Sequence, residues 1–296
     1  MTIFHYDLNW RCLRPWAAAL ILFLGISAQG CKKGAITTGP PNQQDTTPVV
    51  SSNPDTTGYV LTWSDEFNYN GPPDPSKWEY DIGNGSNGWG NQELEYYTSS
   101  PTNAWVANGY LTIEAKKENI AGFKYSSARL VSRTKAQWKY GKLVVRARIP
   151  SGKGTWPAIW MLGAEQPLSW PADGEIDIME EVGFQANIIH GSIHTTTTES
   201  GSPATSSIPV PTAQDSFHLY SIVWTPQLIN IYTDSTKLLT YFNQGQGLTQ
   251  WPFDSACYLL LNIAVGGSWG GQQGVDTSAF PTDMVIDYVR VYQKPD

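Results

Sequence analysis

Residues 174–180 constrain the fold more than any other part of this 296-residue chain. This segment places three carboxylates, Glu175, Asp177 and Glu180, among large apolar side chains. Such alternation indicates a β-strand, whose side chains point to opposite faces in turn. A regular strand would put Glu180 on the apolar face, where an unpaired charge is costly to bury. One extra residue, a β-bulge at about Ile178–Met179, would return Glu180 to the face of the other two acids.

Three acids on one face of a sheet favour a catalytic role. Clustered like charges disfavour one another's ionised forms, so the alternative, an ordinary strand with acids on its wet side, explains them less well. Retaining glycosidases use two carboxyl groups roughly 5–5.5 Å apart. The outer Cα atoms of the segment would lie roughly 13 Å apart along the strand, and two glutamate side chains can close much of that gap.

The rest of the chain predicts short strands joined by turns. It contains 13 Trp, 15 Tyr and 27 Gly, and 15% of its residues are charged, which is typical of β-sheet. Period-two alternation marks residues 111–115 and 142–149, and residues 228–241 predict a hairpin. Further strands are predicted over residues 256–265 and 284–292. With no sustained period of 3.6 residues, the chain is expected to be an all-β sandwich.

The charge of the chain limits the class of partner. Its formal net charge is −7, which argues against nucleic acid or an anionic membrane surface. This composition fits a neutral substrate, which needs no steering by charge.

The spacing Glu-x-Asp-x-x-Glu resembles the catalytic strand of glycoside hydrolase family 16, and in particular its laminarinase-like members, which carry the bulge. The similarity extends from about Val60 to Tyr292. It is carried by Trp63-Ser-Asp-Glu-Phe67, Trp89-Gly-Asn-Gln-Glu93, Trp156-Pro-Ala-Ile-Trp160, His190-Gly-Ser-Ile-His194, Asn262-Ile-Ala-Val-Gly-Gly267 and Asp287-Tyr-Val-Arg-Val-Tyr292. The resemblance implies a jelly roll of two curved antiparallel sheets with a concave cleft. It also implies that Glu175 is the nucleophile, that Asp177 assists and that Glu180 is the acid and base.

The resemblance implies a set of substrate-binding residues as well. Trp160 and Trp170 match residues that shape subsites beside the cleavage point, and His194 is expected near the acids. Asn91 and Arg129 match polar residues that bind substrate hydroxyls. The complete set is Asn91, Arg129, Trp156, Trp160, Trp170, His194 and Trp269. From the residues alone, the tryptophans could instead fill the core, and the two polar residues could form a surface salt bridge or a turn.

No catalytic cofactor is expected. His190 and His194 could serve as metal ligands, but on a regular strand they would lie ~13 Å apart, too far to share one ion. The resemblance implies a structural Ca²⁺ held by Glu66, the carbonyl of Gly109 and Asp287. The alternative is that Asp287 merely faces water on the last strand.

The N-terminal region predicts export. A basic stretch and an apolar run of eleven residues precede Cys31, which is typical of a bacterial lipoprotein signal with Cys31 as the acylated residue. We therefore expect a signal at residues 1–30, a flexible Thr/Pro/Ser-rich tether at residues 31–57 and a catalytic domain at residues 58–296. The protein would be exported and anchored to a membrane, expected to be the outer one. A plain secretory signal is the alternative. Cys257 is expected to be a lone buried thiol in the catalytic domain.

The sequence thus predicts a monomeric, retaining endo-glycosidase that acts on β-1,3-glucan. Mixed-linkage β-glucan and red-algal galactan are alternative substrates. A carbohydrate-binding lectin on the same sandwich, without catalysis, is an alternative class. Glu181 departs from the family, where an aromatic residue is common, and is expected to alter a subsite.

Overall fold

The computed structural model describes residues 56–201 and 203–295, which belong to a compact unit spanning Thr47–Asp296. The predicted signal, Cys31 and the tether up to residue 55 lie outside the described residues. Within the described ranges, no helix is long and apolar enough to cross a bilayer.

The described part of the chain is almost entirely β-structure. Its strands are β1 (Val60–Asp65), β2 (Glu79–Asp81), β3 (Glu95–Tyr97), β4 (Ala104–Ala107), β5 (Tyr110–Ile120), β6 (Phe123–Ser127), β7 (Arg129–Val131), β8 (Gly141–Arg148), β9 (Thr155–Gly163), β10 (Glu175–Glu180), β11 (Ile188–His194), β12 (Ala204–Pro209), β13 (His218–Trp224), β14 (Leu228–Thr233), β15 (Thr236–Phe242), β16 (Cys257–Val265) and β17 (Thr282–Gln293). One α-helical turn, α1 (Thr196–Glu199), and the short helical turns Gly88–Gln92, Gly183–Gln185 and Thr277–Ala279 complete it.

The strands form two sheets. The larger has ten strands in the order β15-β14-β13-β8-β17-β5-β6-β3, with β1 paired to β17 and β4 to β5. Its pairs are antiparallel except β3 with β6, which is parallel. The smaller sheet has seven strands in the order β12-β11-β10-β9-β16-β7-β2. The acid strand β10 therefore lies inside the smaller sheet, between β11 and β9.

The hydrophobic core lies between the sheets. One apolar cluster combines Leu143 and Val145 of β8 in the larger sheet with Leu259 and Leu261 of β16 in the smaller sheet. The intervening residues of β16, such as Asn262, line an open cleft on the other face. This alternation confirms the predicted two-sheet sandwich, and it leaves one face of the seven-stranded sheet free for a ligand.

The predicted strands occur where the sequence pattern placed them. The predicted hairpin forms from β14 and β15, which pair around a turn at Asp234 and Ser235. All nine residues of β16 are buried. Cys257 begins that strand as a buried free thiol, as the sequence predicted.

Candidate active site

The acid strand β10 contains the predicted bulge. Its pairing with β9 is regular up to Asp177 opposite Trp160, then shifts before Met179 opposite Ile159. Ile178 and Met179 consequently both point into the core, where they are fully buried. Glu180 returns to the face of Glu175 and Asp177, and all three acids line the cleft.

Gly174 fixes the point where the acid strand begins. Its φ of +81° lies in a region that favours glycine. A Cβ at this position would lie 2.6 Å from Cε1 of Phe253 and 2.7 Å from Cγ of Pro252. The backbone can therefore pass this close to Pro252 and Phe253 only without a side chain. Glu175, the first residue of β10, follows directly.

The cleft is built by the whole smaller sheet. Its volume is about 820 Å³, and each of the seven strands contributes lining residues. The predicted substrate-binding residues all line it: Asn91, Arg129, Trp156, Trp160, Trp170, His194 and Trp269. The sheet therefore brings the predicted acids and aromatic residues into one site.

Each outer acid accepts a hydrogen bond from a tryptophan. Trp170 Nε1 donates to Glu175 Oε2 at 2.8 Å, and Trp156 Nε1 donates to Glu180 Oε1 at 2.9 Å. An N–H donor fixes the orientation of a carboxylate and favours its ionised form. The two indoles thus position the acids as well as offering ring faces to a sugar.

The central acid has a different partner. Asp177 is 2% exposed, and its Oδ2 lies 2.9 Å from His194 Nε2. The other ring nitrogen, Nδ1, lies 2.6 Å from Oε1 of Glu199. Glu199 also lines the cleft and is a residue that the sequence pattern did not indicate. Nothing in the polar segment after His194 marks it, because its contact depends on how α1 follows β11.

The electrostatics of the cleft raise the pKa of both outer acids. Burial, and then the negative charge of Asp177, raises the pKa of Glu180 to about 8. The same causes raise the pKa of Glu175, while His194 and the Trp170 hydrogen bond oppose the shift. Burial alone would lower the pKa of His194, but the hydrogen bond and charge of Asp177 raise it to about 10. At neutral pH, Glu180 therefore holds a proton beside a cationic imidazolium.

Arg129 supports the cleft wall. Its guanidinium carbon lies 4.4 Å from the ring centroid of Trp89 and 4.8 Å from that of Trp160. Its Nε is 3.2 Å from Asp81 Oδ2, and the residue is 7% exposed. A cation between two aromatic faces attracts both, so Arg129 holds Trp160 in place. A surface salt bridge, the alternative weighed from the sequence, does not describe this buried pair.

A polar network in the wall of the cleft was not predicted. Trp160 Nε1 donates to Asn262 Oδ1 at 2.7 Å, and Asn262 Nδ2 donates to the hydroxyl of Tyr97 at 3.1 Å. Tyr97 in turn donates to Glu93 Oε2 at 3.2 Å, and Asn91 Nδ2 donates to Glu93 Oε1 at 3.3 Å. Asn91 thus belongs to a network that ends at Trp160, and its Gly-rich turn is held by side chains from distant strands.

Trp269 belongs to an aromatic group at the Glu180 end of the cleft. Its ring packs edge-on against Trp156 with centroids 5.4 Å apart and against His190 at 4.9 Å. Burial lowers the pKa of His190, so this imidazole is neutral at pH 7. Neutral rings beside Glu180 suit an uncharged sugar.

Comparison with known proteins agrees with this geometry. The profile of "Glycosyl hydrolases family 16" matches residues 91–290, which include the acid strand and nearly all of the cleft. The chain belongs to glycosyl hydrolase family 16.

Three relatives place the chain within glycosyl hydrolase family 16. It is 52% identical to a beta-glucanase of Rhodothermus marinus, over 79% of this chain and 85% of the relative. The structure of a laminarinase from Rhodothermus marinus matches with a TM-score of 0.78 and 51% identity, covering 80% of this chain and 98% of the other. The structure of SCLam, a non-specific endo-beta-1,3(4)-glucanase, matches with a TM-score of 0.76 and 45% identity, covering 81% and 92%.

Glu181, which the sequence suggested as a residue that alters a subsite, does not line the cleft. The bulge in β10 restores Glu180 to the cleft, and the next residue then points away from it. Glu181 is fully buried, and it accepts hydrogen bonds from Asn187 N at 2.5 Å and Gln214 Nε2 at 2.9 Å. Burial raises its pKa to about 8.

The described residues contain one group of acids and histidines close enough to share a cation, and it is the catalytic cluster. Ligand atoms of Glu175, Asp177 and His194 lie within 4.8 Å of one another. Both ring nitrogens of His194 face carboxylates, so its protonated ring has no lone pair to offer a metal. Glu175, Asp177 and His194 therefore form an acid–base cluster.

The residues expected to hold calcium lie on or next to β17 and its partner strands, and two of them, Glu66 and Asp287, are already paired. Glu66 follows Asp65, which pairs with Val289, and Gly109 lies two residues before Leu111, which pairs with Ile286. Glu66 accepts two hydrogen bonds from Arg290, at 2.9 and 2.7 Å. Asp287 pairs with Arg146 at 2.7 Å. The backbone register fits a shared Ca²⁺ ion. The ion pairs of Glu66 with Arg290 and of Asp287 with Arg146 would compete with the binding of that ion.

Proposed function

We propose that this protein is an endo-acting β-1,3-glucanase that retains the configuration of the anomeric carbon. The observation that carries the proposal is the bulged strand, which places Glu175, Asp177 and Glu180 on the floor of one aromatic cleft. The similarity to a laminarinase and a beta-glucanase of Rhodothermus marinus supports the substrate class.

Glu180 is the group suited to protonate the leaving group. Its pKa of about 8 keeps it protonated at neutral pH, as a general acid requires. It gives its proton to the glycosidic oxygen as the bond from the anomeric carbon to that oxygen breaks. The Trp156 N–H then stabilises the carboxylate that remains, because it donates to Glu180 Oε1.

Glu175 is the group suited to attack. An oxygen of its carboxylate forms the bond to the anomeric carbon and gives a glycosyl-enzyme. Glu175 pairs with His194 across β10 and β11, and the nearby imidazolium favours its ionised form. In the second step Glu180 removes a proton from water, and the water oxygen displaces Glu175 from the sugar.

Asp177 affects the pKa of both outer acids through its charge. It lies between them in the strand, and its negative charge raises the pKa of both Glu175 and Glu180. It therefore helps Glu180 to recover its proton after each turnover. His194 balances the charge of Asp177, since their atoms lie 2.9 Å apart.

The proposal is tested by assaying released reducing sugar on laminarin, barley β-glucan, agarose and carrageenan. We expect laminarin to give the highest kcat/KM, and Glu175→Gln and Glu180→Gln each to lower it by at least about a thousandfold with an unchanged fold. Similar rates on barley β-glucan would instead favour mixed-linkage activity, which the resemblance to SCLam supports as a second candidate. Binding without hydrolysis by the wild type would identify a lectin.

We also propose that the protein is exported and tethered through Cys31. The supporting observation is the basic and apolar segment that precedes this cysteine in the sequence. Expression with the native signal should give protein in the detergent phase, and Cys31→Ser should move it to the aqueous phase. Aqueous partition of both forms would contradict the anchor.

A structural calcium at Glu66, Gly109 and Asp287 is a further hypothesis. It is supported by the register that brings these residues to β17, and it requires that Arg290 and Arg146 release the two carboxylates. Bound Ca²⁺ would raise Tm by mass action. We expect EGTA to lower Tm and added Ca²⁺ to restore it, and an unchanged Tm would contradict the hypothesis.

A further inference from the structure

The His194 imidazole lies between two carboxylates. Nε2 is 2.9 Å from Asp177 Oδ2, and Nδ1 is 2.6 Å from Glu199 Oε1. Asp177 is buried and Glu199 lies at the cleft rim, with 38% of its side chain exposed. The three residues thus form a continuous chain from solvent to the centre of the acid strand.

Glu199 is held in place by the local backbone. The turn α1 begins directly after β11 and is capped by Thr195, whose side chain accepts from Thr198 N while the Thr198 hydroxyl accepts from Thr195 N. Both threonines are buried, at 0% and 4% exposure. Glu199 N donates to Thr195 O at 3.0 Å, and Thr197 N donates to Thr249 O at 2.9 Å. Two anchors therefore set the distance between Glu199 and His194.

The contacts of His194 with Asp177 and Glu199 bear on the number of protons that the imidazole ring carries. A neutral imidazole has one N–H and one lone pair, so one of the two carboxylates would face a lone pair. The titratable groups around the ring are Glu175, Asp177 and Glu180 from β10 and Glu199 from α1, and all four are acids. Trp170, the aromatic neighbour at 6.2 Å, is uncharged. This surrounding favours the imidazolium, whose Nδ1 donates to Glu199 Oε1 and whose positive charge lies beside Asp177.

We propose that Glu199 is a positioning residue that keeps His194 protonated, so that His194 keeps Asp177 correctly oriented between Glu175 and Glu180. The proposal rests on the retaining mechanism given above. Glu199 does not touch the reacting atoms. It acts through His194, and Asp177 in turn maintains the proton on Glu180.

The test compares Glu199→Gln with Glu165→Gln in the otherwise unchanged protein. Glutamine keeps the size of the side chain and removes its charge. Glu165 is an exposed acid in the loop after β9 that does not line the cleft, so its variant changes the net charge equally. The ¹⁵N and ¹H shifts of the His194 ring, followed against pH without substrate, report its protonation directly.

We expect both ring nitrogens of wild-type His194 and of Glu165→Gln to stay protonated to beyond about pH 9, in line with a pKa of about 10. In Glu199→Gln, His194 should lose a proton at least about one pH unit lower, because one of the carboxylates that favour the cation is gone. Above that pH, kcat/KM on laminarin should be roughly tenfold lower in Glu199→Gln than in the wild type at the same pH, where loss of the Glu180 proton lowers both rates equally. Below it, the two proteins should agree within about twofold.

A neutral His194 in the wild type at pH 7 would overturn the proposal. An unchanged His194 titration in Glu199→Gln would also overturn it. Loss of activity at every pH with an unchanged titration would indicate a purely structural role for α1. If the wild type hydrolysed no glucan, the proposed function would fail, while the titration would still decide the proton chain.

Discussion

At the scale of single residues, two tryptophans distinguish the two outer acids. Trp156 donates only to Glu180 and Trp170 only to Glu175. Both hydrogen bonds favour the ionised carboxylate and oppose the effect of burial. Since Glu180 must be protonated and Glu175 ionised in the productive state, the two indoles act on opposite limbs of the pH profile.

Replacing each indole by phenylalanine should therefore shift different limbs. Trp156→Phe removes the donor to Glu180, whose pKa then rises above about 8, so the alkaline limb of kcat/KM should move up by about one pH unit. Trp170→Phe does the same to Glu175, so the acid limb should move up instead. Each variant is the control for the other, and equal shifts of the same limb in both would contradict the assignment of acid and nucleophile.

The sequence could indicate the acids but not all of their partners. Glu175, Asp177 and Glu180 follow from a local pattern in which one strand must face both a core and a cleft. Glu199 could not be predicted, because its contact with His194 depends on the direction of α1 after β11. The position of Arg129 between two indole rings likewise depends on β7 lying beside β16 in the sheet.

At the scale of elements, the bulge in β10 determines three side chains together. It places Ile178 and Met179 in the core, returns Glu180 to the cleft and directs Glu181 into the protein interior. The bulge was predictable because a regular strand would have buried Glu180. The burial of Glu181 was not, because its partners Asn187 and Gln214 come from loops that the sequence did not place near it.

The buried Glu181 makes a prediction about stability. Its folded pKa of about 8 exceeds its ordinary value of 4.5, so the folded state holds a proton that the unfolded state releases. The contribution of Glu181 to the free energy of unfolding is therefore largest below about pH 4.5. It is lost as the pH rises from about 4.5 through about 8. Glu181→Gln keeps the shape and cannot titrate, so its Tm relative to wild type should increase by several degrees between about pH 5 and pH 8. Calorimetry at both pH values checks this, and a constant difference in Tm would contradict it.

At the scale of the whole molecule, the two sheets have different roles. The ten-stranded sheet covers one side of the core, and all seven strands of the other sheet build the cleft. Alternation and composition predicted an all-β sandwich, and the family resemblance supplied the jelly roll of two curved antiparallel sheets. The strand order and the parallel pairing of β3 with β6 were not predictable from local patterns, because they arise from contacts between segments far apart in the chain.

The central claim is that Glu175 attacks the sugar and that Glu180 serves as acid and then base, so configuration is inverted twice. The most direct test is ¹H NMR of the anomeric signals during the first minutes of laminarin hydrolysis, before the products mutarotate. We predict that the β-anomer forms first and that the α-anomer grows only slowly afterwards. Initial formation of the α-anomer would show a single displacement by water and would contradict the assignment of Glu175 as a nucleophile.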